Sequence, residues 1–269
     1  MPRVQSPSSI NTFKLCPRKY YYLYIEKRKT KPSIHLTRGT VVHENLEQFF
    51  LRPIQHTTGL LETDLAFHAL TILKERWLAN DEEVQSLGLT AAEITSYKEE
   101  TTMMVLNWVR HLHKTLTQEM QEGRTLEKAF ARHTPRMEEQ YISQELNVRG
   151  YIDAIHERDG EVHIRDYKTS KHPIISEEYK TQLGIYALLY QRTHGIVPDT
   201  VGIFFLKHGE QLLQVNDALL AAADTDIRWV HERTQTNEKQ DYPKRLNPLC
   251  RFCDFNDECW NQKEITDYP

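Results

Sequence analysis

Val148-Arg-Gly-Tyr-Ile-Asp153-Ala-Ile-His-Glu-Arg-Asp159-Gly160-Glu-Val-His-Ile-Arg-Asp166-Tyr-Lys168 carries the strongest structural signal in the chain. Asp159-Gly160 lies between two alternating runs, a strong short-range signal for a two-residue hairpin turn of type I′. Pairing Arg158 with Glu161 sets Asp153 opposite Asp166, with Cβ atoms roughly 5 Å apart. Residues two apart on a strand share a face, so Lys168 stands beside Asp166 and Tyr151 beside Asp153. Like charges directly opposed destabilise a hairpin unless something compensates. A hard divalent cation, held by one or two carboxylates and several waters, is the natural compensation. Two carboxylates and a lysine around such a cation suit the hydrolysis of phosphodiesters. Taken alone, the same charges also fit an ordinary solvated hairpin face.

Outward from the hairpin, strands are expected from about Met137 through Lys168, then a helix from about Glu177 to Arg192. Val201 to Leu206 reads as a buried strand with Gln211 to Val215 as its partner, and Ala218 to Gln235 as an amphipathic helix. On the N-terminal side, the chain turns helical after Ser6-Pro7 and again from Arg38. His43 and Glu47 are four apart and share one helix face with Gly39. Leu60 to Leu126 is expected to be all helical. Its stripe of Ile94, Tyr97, Thr101, Met104, Trp108, Leu112 and Leu116 has the spacing of a core face. Tyr20, Tyr21, Tyr22 and Tyr24, interleaved with cations, fit core packing or base stacking.

The chain has 269 residues, 39% hydrophobic and 27% charged, as expected of a globular protein of one large domain or two small ones. No apolar run approaches the roughly 20 residues of a membrane span. The start carries no signal-peptide core, so a cytoplasmic protein without membrane contact is expected. The net charge of −4 does not advertise a nucleic-acid binder. A local basic island does, formed by Lys14, Arg18, Lys19, Lys27, Arg28, Lys29, Lys31 and Arg38, although a solvated helix face would look the same. The four cysteines are uneven: Cys16 alone, then Cys250, Cys253 and Cys259. A disulfide framework is disfavoured without a secretion signal. Spacing alone leaves structural zinc and an iron–sulfur cluster both open.

In order, the chain offers Gly39-x-x-x-His43-x-x-x-Glu47, Gly150-x-x-Asp153, Asp166-x-Lys168 and Gln182-x-x-x-Tyr186. This series resembles the PD-(D/E)XK nuclease superfamily in its RecB-like branch. With Cys16 and the Cys250, Cys253, Cys259 trio it is similar to the iron–sulfur members, among them the CRISPR-adaptation nuclease, the AddB nuclease domain and stand-alone exonucleases. Each motif is weak alone; five in order are specific, and the resemblance covers the chain from Ser6 to Trp260 apart from a helical insertion. One departure is Ile152-Asp153 where the family's leading pair is proline-aspartate, a usual variation in this branch.

The resemblance implies an α/β fold: a central mixed β-sheet flanked by helices, in a single nuclease domain over 1–269. It implies a helical insertion over 51–126 and an iron–sulfur subdomain formed by 1–30 and 236–269. His43, Asp153, Asp166 and the Tyr167 carbonyl would hold Mg²⁺ or Mn²⁺, and Lys168 would act on the attacking water and the phosphate. Glu47 would support His43 by a hydrogen bond or reach a metal through water. Gln182 and Tyr186 match the motif that lines the DNA channel, to which Arg18 and Lys19 would add charge. Cys16, Cys250, Cys253 and Cys259 would ligate a 4Fe–4S cluster. The implied activity is a metal-dependent deoxyribonuclease, an exonuclease on single-stranded DNA or DNA ends in repair, recombination or phage-type processing. A nuclease trimming prespacers for a CRISPR integrase is the alternative within the class, and a helicase is a further possible partner. A non-cleaving nucleic-acid-binding subunit is the alternative outside it.

Overall fold

The computed structural model describes residues 3–54 and 58–260. Five strands form one mixed sheet in the order β1 (Arg136–Ser143), β2 (Val148–Arg158), β3 (Glu161–Lys168), β4 (Thr200–Phe205) and β5 (Gly209–Gln214). Neighbouring strands are antiparallel except β3 and β4, which run parallel. A parallel pair needs a long crossover, and helix α8 (Glu177–His194) supplies it. Its N-cap is Ser176, whose hydroxyl accepts from the Tyr179 N–H at 3.3 Å. Gly195 ends it at φ 70°, the left-handed turn that glycine adopts freely.

The hairpin turn forms as expected: Asp159 and Gly160 both have positive φ, at 55° and 86°. Arg158 pairs with Glu161, and the ladder continues only to Ala154 with Arg165. The strands part at the next position, Asp153 and Asp166, so the expected ladder pair is replaced by other contacts. Tyr151 is 54% exposed and its hydroxyl accepts from Gln140 Nε2 at 2.9 Å.

Alternate residues of β4 enter two different cores, as the pleat requires. Val201, Ile203 and Phe205 pack with α8, α1 (Pro7–Leu15) and α9 (Asp217–Arg233) on one face. Phe204 packs on the other with α3 (Ile34–Leu51), α4 (Leu61–Ala79) and α6 (Ala91–Gln121). The α6 stripe behaves as a core face, with Ile94, Thr101, Met104, Trp108, Leu112 and Leu116 buried. Two short helices, α5 (Asp81–Ser86) and α7 (Leu126–His133), complete the largely helical segment before the sheet.

Of the N-terminal tyrosines, Tyr20 and Tyr22 are core, and Tyr21 and Tyr24 are partly buried against it. After α2 (Pro17–Tyr20) the chain makes one wide turn at Tyr21–Ile25, and Tyr20 and Tyr22 are fully buried. The Tyr20 ring stacks on Tyr242 with centroids 6.0 Å apart, which ties the first helices to the C-terminal segment. That segment ends in α10 (Asn256–Cys259). Of the ranges expected from the sequence, residues 1, 2, 55–57 and 261–269 lie outside the described residues. Among the described residues, no helix is long and apolar enough to cross a membrane.

Candidate active site

Asp153 and Asp166 come from neighbouring strands at the point where β2 and β3 separate. Asp153 Oδ2 accepts the Tyr167 N–H at 2.8 Å, taking the place of a backbone acceptor. Asp166 Oδ2 lies 2.6 Å from Lys168 Nζ, and both carboxylates are buried, at 6% and 1% exposure. Burial and the facing Asp166 charge raise the Asp153 carboxyl well above the usual carboxylate range, against the pull of His43 and Lys168. Burial would lower the Lys168 ammonium, but Asp166 and Asp153 outweigh it and hold the pKa up.

His43 reaches the site from α3. Its Nε2 lies 2.9 Å from the Tyr167 carbonyl oxygen, and its Nδ1 lies 3.4 Å from both Glu138 Oε1 and Asp153 Oδ2. Burial opposes the charged ring, yet Glu138, Asp153 and Asp166 overcome it and raise the pKa to about 9. The ligand atoms of His43, Glu138 and Asp153 all lie within 4.8 Å of one another, close enough to share one cation. The donor set of imidazole, carboxylates and a carbonyl suits Mg²⁺ or Mn²⁺.

Glu138 was not legible from the sequence. It lies in the antiparallel register of β1 with β2, between the pairs Met137–Ala154 and Glu139–Ile152, and so faces Asp153. Its φ of 51° is left-handed, a conformation that costs a non-glycine residue about 1–3 kcal/mol and that concentrates at functional sites. The only available signal was that register, which local patterning of Met137-Glu138-Glu139 does not reveal. Glu47, expected to support His43, makes no hydrogen bond to it among the described residues; Glu138 takes that place. Burial and the nearby Glu138 and Glu44 charges raise the Glu47 carboxyl.

Gln182 and Tyr186 are one turn apart on α8. Gln182 Nε2 donates to Asp166 Oδ1 at 3.0 Å and to the Tyr186 hydroxyl at 2.8 Å. Tyr186 is only 5% exposed, and through Gln182 its hydroxyl is linked to the Asp166 carboxylate. Gly150 makes this approach possible: a Cβ there would meet Leu189 Cδ1 at 3.2 Å and Tyr186 Cε1 at 3.3 Å.

The four cysteines, separated in sequence, line one cavity together with Lys19, Tyr22 and Trp260. All four are free thiols, and burial pushes Cys253 and Cys259 up. Among the described residues no three of these sulfurs lie within 4.8 Å of one another. Arg18 donates from Nε to the Tyr242 carbonyl at 2.7 Å, so part of the basic island is folded against the C-terminal segment.

The profile of the PD-(D/E)XK nuclease superfamily matches residues 5–260. The chain belongs to this superfamily. A relative from Mycobacterium phage D29, the Gene 69 protein, is 29% identical over 95% of this chain and 96% of its own. An ATP-dependent helicase/nuclease protein of Bacillus pumilus is 27% identical over 66% of this chain, which corresponds to 14% of that much longer protein. A candidate exonuclease from Eubacterium rectale shares the fold, with a TM-score of 0.55 over 93% of this chain and 88% of its own at 13% identity. This PD-(D/E)XK chain is thus a nuclease of α/β fold with a five-stranded mixed sheet flanked by helices.

Proposed function

We propose that this nuclease is a metal-dependent exonuclease acting on single-stranded DNA or DNA ends. The carrying observation is the convergence of His43, Asp153, Asp166, Lys168 and the Tyr167 carbonyl where β2 and β3 part. His43, Asp153, Asp166 and the Tyr167 carbonyl would hold Mg²⁺ or Mn²⁺, with Glu138 as an added carboxylate beside His43. The fit rests on the donors: the ligand atoms of His43, Glu138 and Asp153 lie within 4.8 Å of one another, and the Tyr167 carbonyl lies 2.9 Å from His43 Nε2. A bound divalent ion supplies Lewis acidity at the scissile phosphate and a more acidic water. Lys168 would steady negative charge developing on the phosphate, while Gln182, backed by Tyr186, would hold Asp166 in one orientation.

The four cysteines would hold a 4Fe–4S cluster that staples residues 1–30 to the C-terminal segment. Their common cavity and the placement of one distant cysteine with a clustered trio support that reading. The helices within 51–126 would be an insertion in a single nuclease domain. The likeness to a phage protein over nearly its full length favours phage-type DNA processing, and the likeness to part of a helicase/nuclease favours a helicase as partner.

End-labelled linear and closed circular single-stranded DNA, each incubated with the full chain in Mn²⁺ and in chelator, test this reading. The expected result is metal-dependent loss of the linear DNA with the circle spared. Equal cutting of the circle would overturn the exonuclease assignment, and inert linear DNA would overturn cleavage altogether.

A further inference from the structure

Helix α8 turns one face toward β3. Tyr179, Gln182 and Tyr186 stand three and four residues apart, so they share that face on successive turns. Gln182 reaches Asp166 from it. Lys168 is two residues beyond Asp166 on β3 and points to the same side of the sheet. The α8 side chain set beside Lys168 is the one a turn before Gln182, and it is aromatic.

Three contacts fix that ring. The Tyr179 N–H donates to the Ser176 hydroxyl at 3.3 Å, which places Tyr179 in the capped first turn of α8. Phe205, paired in parallel register with Lys168, is fully buried, and its ring packs on Tyr179 with centroids 6.2 Å apart. Lys168 Nζ lies 5.5 Å from the Tyr179 ring centroid, within reach of a cation–π contact. Tyr179 thus spans two neighbouring side chains of the sheet, one apolar and one charged.

The chemistry of lysine gives this contact a purpose. Its ammonium is a compact charge with three donors on a flexible four-carbon stem. Asp166 Oδ2, at 2.6 Å, engages the tip from one side only. The Lys168 side chain is 23% exposed, so water competes for the rest of it. A second carboxylate would hold the ammonium but neutralise the charge that a phosphate needs. The negative face of an aromatic ring attracts the ammonium and leaves that charge in place.

We propose that Tyr179 is a positioning residue for cleavage, its ring holding the Lys168 ammonium toward the scissile phosphate as Gln182 holds the Asp166 carboxylate. This rests on the role proposed above for Lys168, the steadying of charge that develops on the phosphate. One face of α8 then orients both members of the Asp166-x-Lys168 pair. The ring, not the hydroxyl, carries the effect, so phenylalanine should serve at position 179 and leucine should not.

Tyr179→Phe and Tyr179→Leu in the full chain test the assignment by two readouts. The first is cleavage of end-labelled single-stranded DNA in saturating Mn²⁺. Tyr179→Leu should lower kcat about tenfold with KM nearly unchanged, the scale of a desolvated cation–π contact made to a group that acts in the transition state. Tyr179→Phe should keep kcat close to that of the unaltered protein. The second readout needs no activity: proton resonances of the lysine ε-methylenes, measured in chelator without DNA on protein isotopically labelled at lysine Cε. Lys168 is assigned by the signal lost in Lys168→Arg. The ring current should set its signal upfield of the other lysines in the unaltered protein and in Tyr179→Phe, and Tyr179→Leu should release it.

A Lys168 signal among the other lysines in the unaltered protein would overturn the contact, whether or not the leucine variant folds. Full kcat in Tyr179→Leu would overturn the positioning role. So would equal loss of kcat in both variants, which would assign the effect to the hydroxyl, or a raised KM with unchanged kcat, which would place Tyr179 in DNA binding. An unaltered protein that cleaves no DNA would remove the nuclease reading and the positioning role with it, while the resonance still reports the contact by itself.

Discussion

Asp153 Oδ2 accepts the backbone N–H of Tyr167 at 2.8 Å, across the gap that opens where the β2–β3 ladder stops at Ala154 and Arg165. A side chain thus takes over a ladder bond, and in doing so it fixes the Asp153 carboxylate beside the residue whose carbonyl faces His43. Strand separation at that point creates the concavity, and the one substituted hydrogen bond keeps the two strands in relation. The proposed chemistry depends on this geometry.

Asp166→Asn should abolish cleavage in saturating Mn²⁺ while the protein stays folded, because it keeps the shape and an acceptor for Gln182 but removes the charge. Lys168→Ala should leave Mn²⁺ affinity nearly unchanged and cut turnover at least about a hundredfold, the scale of one charge-stabilising group. Calorimetry alongside a cleavage assay separates the two. Wild-type rates from Asp166→Asn, or collapsed Mn²⁺ binding in Lys168→Ala, would contradict the proposed roles.

Glu138→Gln should weaken Mn²⁺ binding by about tenfold to a hundredfold, the usual effect of a group at or just outside a ligand shell. Glutamine preserves size and tolerates the same backbone to a similar degree, so far-ultraviolet circular dichroism should be unchanged. Unaltered Mn²⁺ affinity in calorimetry would remove Glu138 from the site.

Mn²⁺ affinity should rise with pH up to about 9, where the His43 proton is lost. Below that value the cation must displace a proton from the imidazole, so affinity should change by up to about tenfold per pH unit. The stability of the metal-free protein should move the other way. His43 has a folded pKa raised above 6.5, so its contribution is complete below 6.5 and is lost as pH climbs through about 9. Asp153 is raised as well, so it also favours the metal-free fold at lower pH, its contribution waning as pH rises through its folded value. Thermal melts in chelator across pH 6.5 to 9 check the direction, and a rise in melting temperature over that window would contradict it.

Tyr186→Phe should lower kcat more than it raises KM for DNA. Its hydroxyl accepts from Gln182, which in turn donates to Asp166, so its loss loosens a carboxylate rather than removing a surface contact. A variant with unchanged kcat and a raised KM would place Tyr186 in DNA binding instead.

Anaerobically purified protein should contain about four irons per chain with the broad visible absorption of a cubane cluster. Cys16→Ser should lower thermal stability as much as Cys253→Ser, since either loss frees the first helices from the C-terminal segment. Stoichiometric zinc without iron would overturn the cluster, and a stable, fully active Cys16→Ser protein would exclude Cys16 as a ligand.

The features legible in the amino-acid sequence were local ones. Asp159-Gly160 dictated a turn because two adjacent positive-φ residues form a hairpin that matches strand twist. The turn then set the register that brings Asp153 and Asp166 to the same level. Periodicity settled α6, since its stripe has no other way to be buried. Family motifs, read in order, singled out His43, Lys168, Gln182 and Tyr186 as well.

Contacts between elements far apart in the chain came from packing instead. Glu138 faces Asp153 only because β1 pairs with β2 in one register, and nothing in its own neighbourhood marks it. Gln182 reaches Asp166 because Gly150 lets α8 sit close on the sheet. Cys16 joins Cys250, Cys253 and Cys259 because Tyr20 stacks on Tyr242 and draws the two ends of the chain together. Turns and periodic faces are set by neighbours within a few residues, whereas side-chain partners across a core are chosen by how whole elements pack.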